Sequence, residues 1–365
     1  MNIKLIEATV LLAIIISCSK LETSEPVNAH AILVYMVGDN NLSNYCDENI
    51  KTISDGVKLS QAEYNSVYVY YDKRNSEPRL IKLYKRKGAV RCDTIVKYPE
   101  TNSASAEQLS QVINDAFRND KYNSYGLVLW SHATGWLPPN FLSGEFVTQS
   151  FGIDNDNEMD IKDLSSALPD RFFEYIIFDA CNMGAVEVAF QLRNKTEFIL
   201  SASTEVAAEG LPYQQIIPVL LSKNRNYKQL AQESYNYYAI ALETGAALSL
   251  VATAEIENLA ITVKQIYANS MNITADISNI QHFDRYSQHL FFDLEDIIKN
   301  IATTEELQIF KNQLNKLVVF AQSPPVVYRV SINTYCGLSS YIYGINPLLD
   351  NYYKTLDWFL FTQEL

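Results

Sequence analysis

Two short apolar runs each end on a residue able to do chemistry: residues 125–130 lead into Ser131-His132, and residues 173–178 lead into Asp179-Ala180-Cys181. An imidazole is a general base. A thiol, with an ordinary pKa of about 8.5, is mostly protonated at neutral pH and becomes a nucleophile when an adjacent imidazole takes its proton. If the two runs are neighbouring strands, His132 and Cys181 face each other across one crevice.

The elements that must position them follow from the same pattern. Short continuous apolar runs bounded by polar or small residues read as strands buried on both faces, as in a parallel sheet. Ligands of open α/β sheets sit at the carboxyl ends of such strands. Further strands are expected at residues 31–37, 66–71, 79–84, near 94–98, at 198–202 and at 247–253. Helices are expected at 42–59, 104–117, 161–168, 183–193, 213–221, 227–243 and 259–272, with a largely helical stretch over 294–321 and apolar runs at 326–332 and 338–342. Strands alternating with helices predict an α/β fold whose mostly parallel central sheet is covered on both faces. No repeat or second linker interrupts it, so residues 30–365 read as a single domain.

Bulk properties narrow the partners. The chain has 365 residues, 48% hydrophobic content and a formal charge of −13. That balance excludes nucleic acid as a natural partner, since phosphate backbones are bound through Lys and Arg. An acidic chain suits a cationic substrate better, and a monomer is expected. At the N-terminus, Lys4 precedes an apolar stretch, residues 8–16, too short to span a bilayer and of signal-peptide length. It ends Ile15-Ile16-Ser17-Cys18, which resembles a bacterial lipobox: residues 1–17 would be removed, Cys18 would carry the lipid, and residues 18–29 would form a polar tether. The protein is then exported and held at the cell envelope by that anchor alone. An uncleaved apolar N-terminus with an incidental Cys is the alternative.

The other reactive residues carry weaker signals. Cys46, Cys92 and Cys336 show no metal-ligand spacing, and His30, His282 and His289 lack a strand-end setting, reading as surface or satisfied polar groups. Residues 154–160 alternate carboxylates and amides like a calcium loop but lack the central Gly and terminal Glu of an EF-hand, which favours a solvated loop.

With Val34-Tyr35-Met36 and Asp39-Asn40-Asn41-Leu42 near the start, the His132 and Cys181 segments resemble the clostripain family of cysteine peptidases, relatives of the caspase, legumain and gingipain group. Gly184, Glu187 and Val188, then Ser203 with Glu205, Pro212-Tyr213 and Gly337-Leu338-Ser339-Tyr341-Ile342 agree with it in order along the chain. The resemblance implies a caspase-like α/β/α sandwich and cleavage after Arg or Lys. It makes Cys181 the nucleophile of an acyl-enzyme thioester, His132 the base and acid, and the backbone N–H groups of Ala133 and Cys181 the oxyanion donors. Family members usually carry glycines after the His; here Ala133-Thr134 precede Gly135-Trp136, and Ala takes positive φ less cheaply than Gly. That departure keeps open a catalytically silent lipoprotein using the fold as a binding module.

A basic side chain taken out of water needs a carboxylate partner. The resemblance offers Asp179 and, as a second pocket acid, Glu209. The alternatives are that Asp179 caps the helix after Cys181 and that Glu209 sits on a solvated loop. No cofactor is required, although calcium stimulates parts of the family and stays open. Relatives often mature by self-cleavage at a basic residue between the His and Cys strands. No Lys or Arg occurs here between Leu137 and Ile161, so activity as a single chain, or activation by a protease of other specificity, is expected.

Overall fold

The computed structural model describes residues 29–141, 151–155, 157–269 and 277–363. The leader, Cys18, nearly all of the tether and part of the loop between the two reactive strands lie outside the described residues. Among the described residues no helix is long and apolar enough to cross a membrane.

Nine strands form one sheet: β1 (His30–Gly38), β2 (Ser66–Lys73), β3 (Ser76–Arg86), β4 (Ala89–Lys97), β5 (Ser124–Trp130), β8 (Phe173–Asp179), β9 (Thr196–Ala202), β10 (Leu248–Ala252) and β12 (Val318–Gln322). Between β5 and β8 the short hairpin of β6 (Phe151–Asp154) and β7 (Asn157–Met159) stands outside that sheet, as does β11 (Phe292–Asp293), which pairs with β15 (Ser339–Ser340); β13 (Val326–Val327) pairs with β14 (Val330–Ser331). The sheet order is β12-β10-β9-β8-β5-β1-β2-β3-β4. The five central strands, β9 to β2 in that order, run parallel, and antiparallel pairs close both edges.

Alternation along the central strands assigns the two faces. Leu33, Tyr35, Leu127, Leu129, Ile176 and Phe178 enter one core. Ile32, Val34, Val128, Trp130, Tyr175 and Ile177 enter the other. The second core is covered by α1 (Ser43–Leu59), α5 (Tyr213–Leu220) and α6 (Tyr227–Asn236), through Ile53, Val57, Ile216, Ile217 and Leu230. The first is covered by α2 (Ala106–Phe117), α3 (Ile161–Ala167), α4 (Val186–Gln191) and α7 (Ile256–Asn269), whose apolar stripes supply Leu109, Leu164, Val188 and Leu259. Helices α8 (Leu294–Lys299), α9 (Thr304–Leu317), α10 (Pro347–Tyr353) and α11 (Asp357–Thr362) complete the chain.

Some boundaries differ from the sequence reading for identifiable reasons. The stretch 294–321 breaks into α8 and α9, because Thr303 and Glu306 build a capping box that starts a new helix, and its last residues form edge strand β12. Val318 and Phe320, β-branched and aromatic, pair with Val251 and Leu250 of β10 instead of extending the helix. The helix after Cys181 begins at Val186, since the chain first turns at Cys181-Asn182, where Asn182 takes positive φ. The helix of residues 227–243 passes into a π-helical turn at Tyr237–Ala241, which brings Tyr238 inward.

Candidate active site

Strands β5 and β8 are parallel neighbours with Trp130 opposite Asp179, so His132 and Cys181 leave the sheet side by side at its carboxyl edge. The two bound one cavity of about 190 Å³, which Leu42, Trp130, Asp179, Glu205 and Gly210 also line.

The turn after Cys181 holds the thiol at that edge. Asn182 has φ +58°, and its N–H donates to the Thr204 carbonyl, as that of Gly184 does to Ala202. Gly184 lies so close to β9 that a Cβ there would stand 2.6 Å from the Ser203 nitrogen, which excludes any side chain. The Val206 N–H donates to Cys181 Sγ at 3.4 Å. Burial pushes the thiol up to about 12. The His132 pKa is lowered, also by burial. At neutral pH the pair is therefore a thiol and a neutral imidazole, and no hydrogen bond joins them.

His132 is oriented by a residue to which the sequence reading gave no role. Its Nε2 lies 2.5 Å from Asn41 Oδ1. An amide oxygen only accepts, so Nε2 carries the proton and Nδ1 keeps the lone pair. The neighbouring Asn40 anchors this corner: its Nδ2 donates to the Val37 and Ile153 carbonyls, and its Oδ1 accepts from Leu42 N. The only signal in the sequence was the Asp39-Asn40-Asn41-Leu42 motif directly after β1.

Asp179 points to the α5 side and is 4% exposed. Its Oδ2 accepts from Leu211 N at 2.9 Å and Tyr213 Oη at 2.7 Å, and its Oδ1 accepts from Tyr238 Oη at 3.2 Å. Burial raises its carboxyl to about 6 against those three donors. It caps no helix, for the residue preceding α4 is Ala185. Gly210, at φ +79°, lets the chain pass directly over the acid, where a Cβ would lie 2.8 Å from Oδ2. Glu209, one residue earlier, is exposed and does not line the cavity. Glu205 lines it instead, and its carboxylate is forked by Arg285, with Nε–Oε1 2.8 Å and Nη2–Oε2 2.6 Å.

The residues after His132 impose no strain. Ala133 is buried beside Phe151 in an antiparallel bridge, and positive φ begins only at Gly135 (+67°). The Ala133 and Cys181 amides donate to nothing among the described residues. The fragments around 184–188 and 337–342 prove to be one physical unit, because Glu187 Oε1 accepts from Ser340 Oγ, Tyr341 N and Tyr353 Oη, and Ser339 N donates to the Gly184 carbonyl.

Of the remaining candidates, Cys46, Cys92, Cys181 and Cys336 are all free thiols. His30 is buried between Ser124 Oγ and Tyr175 Oη. In the acidic loop, Asp154 Oδ2 accepts from Ser103 N and Asp160 caps α3 through Lys162 N. Ser103 Oγ in turn donates to Asp72, whose carboxyl burial raises to about 7 and whose Oδ1 has no partner.

A sequence model of the clostripain family matches residues 34–364. An inactive zymogen C11 protease from Parabacteroides distasonis is 31% identical, superposes with a TM-score of 0.84, and is matched over 92% of this chain and 99% of its own. A secreted C11 cysteine protease from Bacteroides thetaiotaomicron, solved with an irreversible peptide inhibitor, is 29% identical with a TM-score of 0.81 and the same coverage. No curated protein matches.

Proposed function

The chain belongs to the clostripain family and is a cysteine peptidase, and we propose that it cleaves peptide bonds after Arg or Lys through Cys181 and His132. The observation that carries this reading is the single cavity in which a thiol, an imidazole and a buried carboxylate converge. A substrate's basic side chain enters towards Asp179, gaining the carboxylate that a desolvated cation requires. Its scissile carbonyl then lies over Cys181. Nδ1 of His132 takes the thiol proton as sulfur attacks, so the neutral resting pair becomes thiolate and imidazolium only as the bond forms. The Ala133 and Cys181 amides receive the oxyanion. His132 gives its proton to the leaving amine, and water, deprotonated by the same nitrogen, hydrolyses the thioester.

The proposal extends to location and activation. The lipobox-like Ile15-Ile16-Ser17-Cys18 supports export and a lipid anchor at the cell envelope. The loop without Lys or Arg supports activity as a single chain. The proposed chemistry calls for no cofactor, and calcium is an addition that the assay varies.

Hydrolysis of fluorogenic Arg and Lys peptides tests the reading. Turnover by wild type, lost in both Cys181→Ala and His132→Ala, is expected, with no self-cleavage between residues 137 and 161 on a denaturing gel. Folded wild-type protein that turns over neither peptide, with or without calcium, would leave the silent binding module as the better account.

A further inference from the structure

The segment that carries Arg285 also carries two histidines that the peptidase chemistry does not use. His282, Asp284 and His289 each offer a ligand atom, and the three atoms lie within 4.8 Å of one another. We propose that they form a binding site for a borderline divalent transition metal of the zinc class, outside the catalytic pair.

The local geometry supplies the argument. His289 Nδ1 stands 3.0 Å from Asp284 Oδ1. Two ligands bound at about 2.0–2.1 Å to one tetrahedral zinc are about 3.3 Å apart, so this pair is already near ligand spacing, and a metal would take the place of the hydrogen bond between them. His282 Nδ1 lies 3.0 Å from the Asp284 carbonyl oxygen. That contact fixes its tautomer and leaves Nε2 as the nitrogen with a lone pair, the backbone-carbonyl arrangement common for metal-bound histidine. The rings stack, with centroids 3.4 Å apart and 12° from parallel. Convergence on one ion requires them to splay by rotation about Cβ–Cγ, a soft torsion for imidazole.

The frame under the site is fixed. Asp284 Oδ2 accepts from Leu290 N and Phe291 N, both at 2.9 Å, and Oδ1 also accepts from Tyr286 N. The carboxylate therefore holds its position while the rings move. The three residues line an open cleft of about 830 Å³, which gives an ion an entry path and leaves its remaining coordination to water. Arg285, Lys299 and Arg329 share that wall, but Arg285 is paired with Glu205, and Asp296 offsets part of the rest. Two nitrogens and one oxygen suit zinc; calcium asks for six to eight oxygens and does not match this set. Because Arg285 reaches Glu205 beside Cys181, a bound ion would also hold the wall of the catalytic cavity.

The test must exclude the thiol and imidazole of the catalytic pair, which could themselves take zinc. Titration calorimetry and thermal melting with zinc chloride are run on the Cys181→Ala/His132→Ala protein. Its remaining histidines are His30, buried in the core, and the two in question. One equivalent bound with micromolar or tighter affinity, with a rise in Tm, is expected. Adding His289→Gln or His282→Gln should remove both while the metal-free Tm and far-ultraviolet dichroism stay unchanged, and calcium chloride should neither bind there nor compete. No binding in the parent protein, binding that survives either Gln substitution, or equal competition by calcium would overturn the proposal.

Discussion

Cys181 is flanked by two buried carboxylates, Asp179 before it and Glu187 after it, and they do opposite things with the same chemistry. Each accepts one backbone N–H and two side-chain hydroxyls, and burial raises the pKa of each. Asp179 borders a cavity that opens beside the nucleophile. Glu187 is sealed behind α4, where it joins that helix to β15 and α10. A buried acid that collects three donors is thus not in itself a sign of function. Empty volume within its reach, bounded by a reactive group, is what separates the two.

Exchanging the charge at each position should separate them experimentally. Asp179→Asn keeps an acceptor but leaves a bound cation unpaired, which costs about 2–5 kcal/mol, or roughly 30- to 5,000-fold in kcat/KM for Arg and Lys peptides. Its melting temperature should hardly move. Glu187→Ala should do the reverse: three buried donors lose their acceptor, costing about 3 kcal/mol or more of stability in a denaturant titration, while the folded fraction keeps its kcat/KM. Loss of stability at Asp179 or loss of specificity at Glu187 would erase the distinction.

The pH profile sharpens the same contrast. Only ionised Asp179 pairs with a cation, and its carboxyl sits at about 6. Selectivity for an Arg over a norleucine peptide should therefore be full above that value and fall about tenfold per unit below it. Selectivity that stays flat to pH 5 would mean that Asp179 does not read the side chain. The smallest effect is expected at Asn41. Removing its hydrogen bond to His132 in Asn41→Ala should lower kcat by about tenfold, the worth of one such bond, with KM little changed.

Much of this was legible in the chain because its signals are local. The unbroken apolar run that holds Ile32, Leu33, Val34 and Tyr35 marks a strand covered on both sides, as the structure shows, and the run into Cys181 ends where the strand does. What was not legible depends on distant partners. Nothing near Asp179 announces Tyr213 and Tyr238 as its donors, and the exposed Glu209 could not be told from Glu205, four residues earlier in the same loop. The concern over Ala133 also dissolves only in three dimensions, since the left-handed residue in that loop is Gly135. His282 and His289, seven residues apart, become a pair only when Asp284 draws the segment into a tight turn.

The central claim, that Cys181 attacks beside a pocket that reads a basic side chain, is tested most directly by covalent labelling. A peptidyl acyloxymethyl ketone ending in Lys, and its norleucine counterpart, are incubated with wild type, Cys181→Ala and Asp179→Asn, and the adducts are located by peptide mass mapping. The account predicts one equivalent on Cys181 in wild type, none in Cys181→Ala, and a preference for the Lys reagent that collapses in Asp179→Asn. Labelling at another cysteine, or equal rates for the two reagents on wild type, would contradict it.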